Sequence, residues 1–233
     1  MKLKNFTFDR LNRIIKEKVI GKTRIPDEYK EDIGNNFIRL SHEEGCYIFN
    51  WMGIQIFKYP TDLMKYQEII FEQRPDILIE CGTAKGGSAL FFANLFDLLG
   101  NGKVVSIDVK DNNHPYHNRI KYLIGKSTDK KIVEEVKKYI AGKKVMVILD
   151  SDHYKGNVLK ELKIYGELVS TGYYMIVEDT ILNGNTIEET FGAGPKEAVE
   201  EFMKNNNDFE VDKSKEAFIL TSCKGGFLRK IKC

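Results

Sequence analysis

Acidic residues follow two apolar segments of the sequence that have the composition of buried strands. Asp150 and Asp152 follow one segment, and Glu178 and Asp179 follow the next one along the chain. If both segments are parallel strands of one sheet, these carboxylates meet at its carboxyl edge, where ligands bind. Carboxylates so close together repel one another unless a cation neutralises them, and hard divalent ions prefer oxygen ligands. The pattern therefore predicts a site for Mg²⁺ or Mn²⁺, with helix caps and solvated loop acids as the alternative interpretation.

A histidine lies close to these acids in the sequence. His153 follows Asp150 by three residues, at the start of the next predicted helix, where its imidazole could accept a proton from a bound hydroxyl. Most isolated histidines are ordinary surface or core residues, so the neighbouring acids are what favour a general base here. His114 and His117 flank Pro115, which breaks the helix that a metal-binding pair at this spacing needs. We expect a surface loop there, with at most one substrate contact.

A glycine-rich turn follows an earlier apolar segment, residues 77–80. Gly82, Gly86 and Gly87 lie in this turn, and a helical segment follows directly. Glycines allow the chain to turn sharply and bring backbone N–H groups close to a ligand at a helix N-terminus. The turn matches neither a Walker phosphate loop nor the GxGxxG pattern of dinucleotide-binding enzymes, so alone it indicates a ligand only weakly.

The next two predicted strands also end in polar residues. Asp108 ends the second strand, about 20–30 residues after the glycine turn, a position typical of the acid that binds a nucleotide ribose. Its alternative role is a simple strand cap. Ser127 and Asp129 follow the third strand and could contact an adenine, although either could cap the next helix. The turn and Asp108 together predict a cofactor that contains a nucleoside.

The elements that position these residues alternate regularly. Apolar runs and amphipathic segments follow one another, the runs at 77–80, 104–107, 145–149 and 173–177 and the amphipathic segments near 88–99, 129–140, 155–170 and 195–204. Strand–helix alternation indicates a parallel sheet, and unbroken apolar runs indicate strands that helices cover on both faces. The predicted fold class is α/β, with a doubly wound, mostly parallel sheet.

The N-terminal part differs from this pattern. Residues 8–20 have apolar side chains at helical spacing, a second short helix begins at residues 25–27, and residues 46–57 form an extended, aromatic-rich segment. We predict an N-terminal helical and extended cap over residues 1–60, followed by one domain over residues 61–233.

The C-terminal part also departs from strand–helix alternation. Apolar runs at 209–211, 217–221 and 226–231, with Lys224-Gly225-Gly226 as a turn, predict an antiparallel hairpin at the sheet edge. We predict a mobile lid at Asn183-Gly184 and the glycine-bearing stretch 190–195, the alternative for this stretch being a plain connection to the next helix.

Composition excludes several classes of protein. With 36 Lys and Arg against 34 Asp and Glu, a net charge of +2 leaves no broad positive surface for nucleic acid. The four cysteines form no CxxC pair, which argues against zinc and disulfides. No stretch of about 18 apolar residues could span a membrane, and the N-terminal segment has no unbroken apolar core. We expect a cytoplasmic protein without nucleic-acid or membrane partners, and a possible homo-oligomer.

Several short motifs together resemble a known family. They are Trp51-Met52-Gly53, Lys58-Tyr59-Pro60-x-Asp62-Leu63, Glu80-x-Gly82-Thr83, Gly86-Gly87-Ser88-Ala89, Leu149-Asp150-Ser151-x-His153 and Val177-Glu178-Asp179-Thr180. From about Trp51 to the C-terminus, the sequence resembles the family named cephalosporin hydroxylases. Hydroxylation is not implied, because the sequence lacks the HxD motif of a non-haem iron site. The family resembles metal-dependent O-methyltransferases that use S-adenosylmethionine (SAM) and act on macrolide sugars and rhamnosyl groups.

The resemblance implies a fold and a reaction. The fold is the Rossmann-like class I methyltransferase fold, and the reaction moves a methyl group from SAM to a hydroxyl of a sugar or natural product. The resemblance implies that Glu80, Gly82 and Asp108 bind SAM. The turn and the third strand end complete the predicted cofactor contacts, which are Thr83, Gly86, Gly87, Ser88, Ser127 and Asp129.

The resemblance also implies roles for the acids. Asp150, Glu178 and Asp179 are implied to hold Mg²⁺, and His153 is implied to act as the general base. Glu178 and Asp179 follow Asp150 by 28 and 29 residues, which is the ligand spacing of such enzymes. This spacing favours Asp150 over Asp152, which we then expect behind the ligands or on the substrate side.

Two other functions fit parts of the pattern. A non-catalytic nucleotide-binding or assembly protein could keep the fold, but it would not need three metal-ligand acids and a histidine at this spacing. A nicotinamide-dependent oxidoreductase would usually carry GxGxxG, which the sequence lacks. For the methyltransferase, we expect a sugar hydroxyl of a glycan or natural product as the acceptor, ahead of a phenolic or antibiotic scaffold.

Overall fold

The structure, a computed structural model, describes residues 27–216 and 220–232, so the helix predicted over residues 8–20 lies outside it. The helices are α1 (Asp27–Glu43), α2 (Pro60–Gln73), α3 (Gly87–Leu99), α4 (Lys130–Ile140), α5 (Lys155–Leu168), α6 (Pro195–Lys204) and a 3₁₀ helix (Lys213–Glu216). The strands are β1 (Ile48–Trp51), β2 (Ile54–Phe57), β3 (Ile77–Cys81), β4 (Lys103–Asp108), β5 (Ile120–Ile124), β6 (Val145–Leu149), β7 (Tyr174–Val177), β8 (Phe209–Val211) and β9 (Phe227–Lys230). Within the described part, no helix combines the length and the apolar character needed to cross a bilayer.

Seven strands form one sheet in the order β5-β4-β3-β6-β7-β9-β8. Strands β3 to β7 pair in parallel, and β9 is antiparallel to both β7 and β8. The chain adds β4 and β5 on one side of β3 and then places β6 on its other side. Such a switch point in an open sheet leaves a crevice for ligands at the carboxyl ends of the strands. The predicted doubly wound, mostly parallel sheet is confirmed.

The strand register brings the predicted acids side by side. Cys81 at the end of β3 pairs with Leu149 at the end of β6, and Leu149 pairs with Val177 at the end of β7. Just beyond the strands, the Asp150 amide donates to the Cys81 carbonyl over 2.8 Å, and the Glu178 amide donates to the Leu149 carbonyl over 3.0 Å. Asp150 and Glu178 therefore leave the sheet at the same level.

Helices cover both faces of the sheet. Every residue of β3 and β6 is buried, as the unbroken apolar runs predicted. Helices α4, α5 and α6 pack on one face through side chains such as Val136, Leu162 and Phe202. Helices α2 and α3 pack on the other face through side chains such as Ile69 and Phe92. The two apolar layers hold the strand ends, and hence the acids, in place.

The C-terminal strands differ in part from the prediction. Strands β8 and β9 form the expected antiparallel pair at the sheet edge. Residues 220 and 221 lie outside the sheet, so the strand predicted over 217–221 is wrong there. Residues 217–219 are not among the described residues. The physical reason is that this segment bonds to α2 instead of to a strand. The Thr61 hydroxyl donates to the Leu220 carbonyl, and the amide and hydroxyl of Ser222 donate to the Asp62 carboxylate.

Helix α1 and a hairpin precede the sheet. Helix α1 begins at Asp27 and has 17 residues, so the expectation of a short helix is wrong. Strands β1 and β2 form a hairpin within the predicted extended segment. It packs on α3, because the Trp51 indole donates to the Asn94 side chain over 2.9 Å and meets the Phe91 ring edge-on at 4.9 Å. The domain boundary at residue 60 stays a prediction, and Ile56 of this hairpin shares a core cluster with α2 and α3.

The close approach of the hairpin to α3 generates a stability prediction. A Cβ atom on Gly87 would lie 2.4 Å from the Gln55 carbonyl oxygen and 2.9 Å from the Ile56 Cβ atom. We expect Gly87→Ala to lower the free energy of unfolding by about 1–3 kcal/mol, the usual cost of overpacking. Gly156→Ala in α5 is the matched control, because no heavy atom lies within 4 Å of its Cβ position. Urea denaturation measures both variants, and equal stabilities would contradict the close packing.

Candidate active site

Two cavities open at the carboxyl edge of the sheet. The Asp108 cavity has a volume of about 430 Å³, and its lining includes Gly82, Asp108, Ser127 and Asp152. The His153 cavity has a volume of about 590 Å³, and its lining includes His42, Tyr47, Lys58, Tyr59, His153, Glu178 and Asp179. Ala84, Asp150 and Ser151 line both cavities, so molecules bound in the two would meet at this shared wall.

Gly82 allows the chain after β3 to pass close to the end of β6. Its φ is +101°, and a Cβ atom there would lie 1.8 Å from the Asp150 carbonyl oxygen, so only glycine fits. The Asp108 carboxylate fixes the turn that follows. Its Oδ2 atom accepts hydrogen bonds from the amides of Thr83 over 3.0 Å and Ala84 over 2.8 Å. Asp108 thus has its predicted place on a cavity wall and also caps the local backbone.

The remaining predicted cofactor contacts lie in different places. Ser127 lines the Asp108 cavity, whereas Asp129 lies at the N-cap position of α4, where its side chain makes no capping bond. Gly86 is not in the lining of the Asp108 cavity, and a Cβ atom on it would lie 2.7 Å from the Pro115 ring. A narrow groove of about 20 Å³ lies beside the hairpin, and its lining includes three more of the predicted cofactor contacts, Thr83, Gly87 and Ser88. Contacts between these last residues and a cofactor stay predictions.

Glu80 lies behind the cavities. It is fully buried, and its Oε2 atom accepts a hydrogen bond from the Ser106 hydroxyl over 2.6 Å. Its Oε1 atom has no hydrogen-bond partner among the described residues. Burial raises the pKa of Glu80, and the nearby Lys58 ammonium opposes that rise. Glu80 is not in the lining of either cavity and lies behind the residues that are. Its predicted contact with a cofactor therefore stays a prediction.

The predicted metal ligands line the His153 cavity together with His153, and they are called the acid cluster below: Asp150, Glu178 and Asp179. Asp150, His153 and Asp179 each offer a ligand atom within 4.8 Å of the other two. Glu178, the third predicted ligand, is not a member of this group and pairs with Lys58 instead, so its part in holding an ion stays a prediction. The His153 Nε2 atom lies 3.4 Å from the Asp179 Oδ2 atom, and both side chains are about one-third exposed. Two carboxylates and an imidazole at this spacing can hold a divalent cation or, alternatively, can leave the imidazole free as a base.

Lys58 belongs to this site and was not predicted from the sequence as a site residue. Its buried Nζ atom lies 2.7 Å from Asp150 Oδ2 and 2.7 Å from Glu178 Oε1. Burial alone would lower the pKa of Lys58, but the two carboxylates outweigh it and raise that pKa well above its usual value. Burial and the charge of Asp150 raise the pKa of Glu178, while Lys58 opposes the rise. The sequence did contain a signal for Lys58. Several converging acids require a cation, and Lys58 begins the motif Lys58-Tyr59-Pro60-x-Asp62-Leu63.

Asp152 lies on the other side of the shared wall. It is exposed, lines the Asp108 cavity and accepts a hydrogen bond from the Tyr154 amide over 3.2 Å. Asp150, and not Asp152, therefore belongs to the acid cluster. The turn into α5 carries Asp152 to the Asp108 cavity, and its expected role behind the ligands or on the substrate side stays a prediction.

Aromatic rings form much of the His153 cavity. His42 in α1 stacks on Tyr47 with ring centroids 5.3 Å apart, and Tyr47 meets Tyr59 at 5.9 Å. The Tyr59 hydroxyl is buried and has no hydrogen-bond partner among the described residues. Phe191, in the stretch 190–195, lines the cavity before the chain enters α6. That stretch therefore borders the cavity as expected of a lid, and its mobility stays a prediction.

The other two predicted histidines lie away from the acid cluster. The His114 Nε2 atom lies 3.1 Å from the Ala84 carbonyl oxygen, and the His117 ring contacts Asp97 over 3.0 Å. Both residues lie in a loop, as predicted. Neither belongs to a group of potential metal ligands within the part of the chain that the structure describes.

Comparison with curated proteins identifies close relatives. Residues 43–231 match the family described as Rhamnosyl O-methyltransferase/CmcI. The rhamnosyl O-methyltransferase of Mycobacterium leprae is 38% identical over 195 residues, which cover 79% of this chain and 85% of that protein. The rhamnosyl O-methyltransferase of Mycobacterium tuberculosis is 39% identical over 191 residues, which cover 76% of each chain.

Solved structures show the same fold. CmcI in a structure with Mg and SAM gives a TM-score of 0.61 at 21% identity, covering 78% of this chain and 76% of CmcI. The MycE methyltransferase of the mycinamycin biosynthetic pathway, in complex with Mg and S-adenosylhomocysteine (SAH), gives 0.51 at 13% identity, covering 97% of this chain and 63% of MycE. The predicted class I methyltransferase fold is confirmed. Because the family match spans most of the chain, the protein belongs to the Rhamnosyl O-methyltransferase/CmcI family, which confirms its predicted assignment as an O-methyltransferase.

Proposed function

We propose that this protein transfers a methyl group from SAM to a sugar hydroxyl, with a rhamnosyl group as the acceptor, in a reaction that depends on Mg²⁺. The observation that carries the proposal is the shared wall, where the two cavities meet at Asp150 beside His153 and Asp179. Methyl transfer requires such a meeting point, because donor and acceptor must be aligned. Family membership supports the reaction class, and the names of the mycobacterial relatives support the acceptor.

The Asp108 cavity suits the nucleoside of SAM. Asp108 lies in its wall, and a carboxylate at this strand end can accept hydrogen bonds from a ribose diol. Gly82 has no side chain, so a ligand can approach the backbone of the turn closely. Ser127 supplies a polar group further along the same wall. We therefore assign the cofactor to the Asp108 cavity and the acceptor to the His153 cavity.

The donor set of the acid cluster fits Mg²⁺. Asp150, Glu178 and Asp179 offer carboxylate oxygens, which are the ligands that hard divalent cations prefer. Burial and then repulsion from Asp150 raise the pKa of both Glu178 and Asp179, so a cation would relieve an existing electrostatic cost. When bound, the cation polarises an acceptor hydroxyl and favours loss of its proton. Mn²⁺ would suit the same oxygens.

The protein's own side chains position the acceptor and take up its proton. His153 lines the acceptor cavity, and Asp179, 3.4 Å from its Nε2 atom, can orient the imidazole. The rings of Tyr47 and Phe191 can cover the apolar faces of a sugar and exclude water. His153 is therefore the residue we assign as general base.

The proposal is tested with purified protein, SAM, Mg²⁺ and a set of rhamnosyl glycosides. We expect a mass gain of one methyl group on the acceptor, loss of turnover in EDTA, and recovery when Mg²⁺ is restored. Loss of a residue that only supports a metal ligand typically costs about 10–100-fold in activity. Asp150→Ala removes a ligand itself, so it should lower kcat by more than about 100-fold. Asp152→Ala is the matched control outside the cluster and should change kcat far less. Transfer that persists in EDTA, or equal losses in the two variants, would rule out the metal assignment.

Lys58 provides a stability test of the acid cluster. Without metal, Lys58→Met leaves Asp150 and Glu178 without their buried cation, at a cost of about 3–5 kcal/mol. Mg²⁺ can supply the missing charge, so its addition should raise the Tm of the variant more than that of the wild type. Lys230→Met is the matched control, because this buried lysine donates to three backbone carbonyls and its loss should not depend on Mg²⁺. If Mg²⁺ raised the Tm of Lys58→Met and of the wild type equally, the metal would bind elsewhere.

Removal of His153 tests its role as the base. We expect His153→Ala to lower kcat by about 10²–10⁴-fold, the usual span for loss of a general base. The Kd for SAH, measured by calorimetry, should stay unchanged because His153 lines the acceptor cavity and not the Asp108 cavity. If the variant keeps a near-wild-type kcat, His153 is a structural residue and the cation alone activates the hydroxyl.

A further inference from the structure

One buried carboxylate near the site has no part in the proposed reaction. Glu161 lies on α5, is 1% exposed, and is absent from the lining of both cavities. Its Oε1 atom accepts hydrogen bonds from the hydroxyls of Ser127 and Ser151, the latter over 2.7 Å. Both serines line the Asp108 cavity. Glu161 therefore lies directly behind the cavity wall and contacts it through two hydroxyl groups.

These two bonds determine what Ser127 can offer to a ligand. A serine hydroxyl has one hydrogen to donate and two lone pairs that accept. The hydrogen of Ser127 is used in the bond to Glu161, so towards the cavity this hydroxyl can only accept. The Ser151 hydroxyl also donates to Glu161, and it accepts a further bond from the Asn157 amide over 3.1 Å. An accepting Ser127 favours a ligand N–H group over a carbonyl oxygen.

The cost of burying Glu161 supports a role beyond packing. Its Oε2 atom is buried without a hydrogen-bond partner among the described residues, which is a destabilising arrangement. Burial raises the pKa of Glu161 to about 7, while the hydrogen bonds from Ser127 and Ser151 oppose the rise. The structure thus places a costly buried carboxylate directly against two serines of the cavity wall.

We propose that the 6-position of the cofactor's purine faces Ser127 and that Glu161 is a positioning residue that holds the Ser127 hydroxyl there as an acceptor, so that the Asp108 cavity selects a purine with a 6-amino group over one with a 6-oxo group. The inference rests on the proposed function, which places the nucleoside of SAM in this cavity. Selection follows because a 6-oxo group would face a hydroxyl that has no hydrogen left to donate, and a buried polar group without a partner is strongly disfavoured.

The test compares SAH with its deaminated analogue S-inosylhomocysteine, in which a 6-oxo group replaces the 6-amino group and the adjacent N1 atom carries a hydrogen. Calorimetry should show that the wild type binds SAH at least about tenfold more tightly, as expected from one hydrogen bond. In Glu161→Leu the freed Ser127 hydroxyl can donate to the 6-oxo group, so the ratio of the two Kd values should fall towards one. Glu161→Gln should retain most of the preference, because its amide oxygen can accept from the serines.

The ratio separates this role from a structural one. General loosening of the wall would weaken both ligands equally and leave the ratio of Kd values unchanged, which would overturn the inference. If Glu161→Leu fails to fold, Ser127→Ala removes the hydroxyl itself and should also lose the preference. Equal binding of both ligands by the wild type would overturn the inference and leave the proposed function intact. Binding of neither ligand by the wild type would overturn the proposed function, and the inference with it.

Discussion

One buried ammonium group makes the acid cluster possible. Lys58 contacts Asp150 and Glu178, which leave neighbouring parallel strands at the same level of the sheet. Two carboxylates at this depth repel each other, and burial further disfavours their charged forms. The Lys58 ammonium pairs with both acids where the strand register has placed them, and it opposes the rise in the pKa of Glu178. Without a cation at this point, whether an ammonium or a metal ion, the end of the sheet could not carry these charges.

This constraint extends to the N-terminal part of the chain. Lys58 directly follows β2, so its ammonium reaches the acids only if the hairpin lies close against α3. The missing side chain of Gly87 permits that approach, and the Trp51–Phe91 contact maintains it. Residues before and after the predicted boundary at residue 60 therefore depend on each other, because Lys58 contacts carboxylates that follow β6 and β7.

The switch point of the sheet separates two binding tasks and joins them at one wall. On one side, the Asp108 carboxylate and the hydroxyl of Ser127 present polar groups of defined orientation. On the other side, aromatic rings from α1 and the neighbouring loops surround a larger cavity. Gly82 lets its turn pass close to the backbone of Asp150, which lines both cavities. Donor and acceptor can thus be recognised by different chemistry and still meet.

The amino-acid sequence by itself determined the sheet and the convergence of Asp150, Asp179 and His153. A strand buried on both faces requires consecutive apolar residues, and acids directly after two such parallel strands must lie at the same edge. Only the tertiary structure decided that Lys58 pairs with Asp150, 92 residues away, and that Ser127 donates to Glu161, 34 residues away. It also decided that Glu80 lies behind the cavity wall. Such contacts depend on how separate elements pack, and local apolar patterns carry no information about which side chains will then meet.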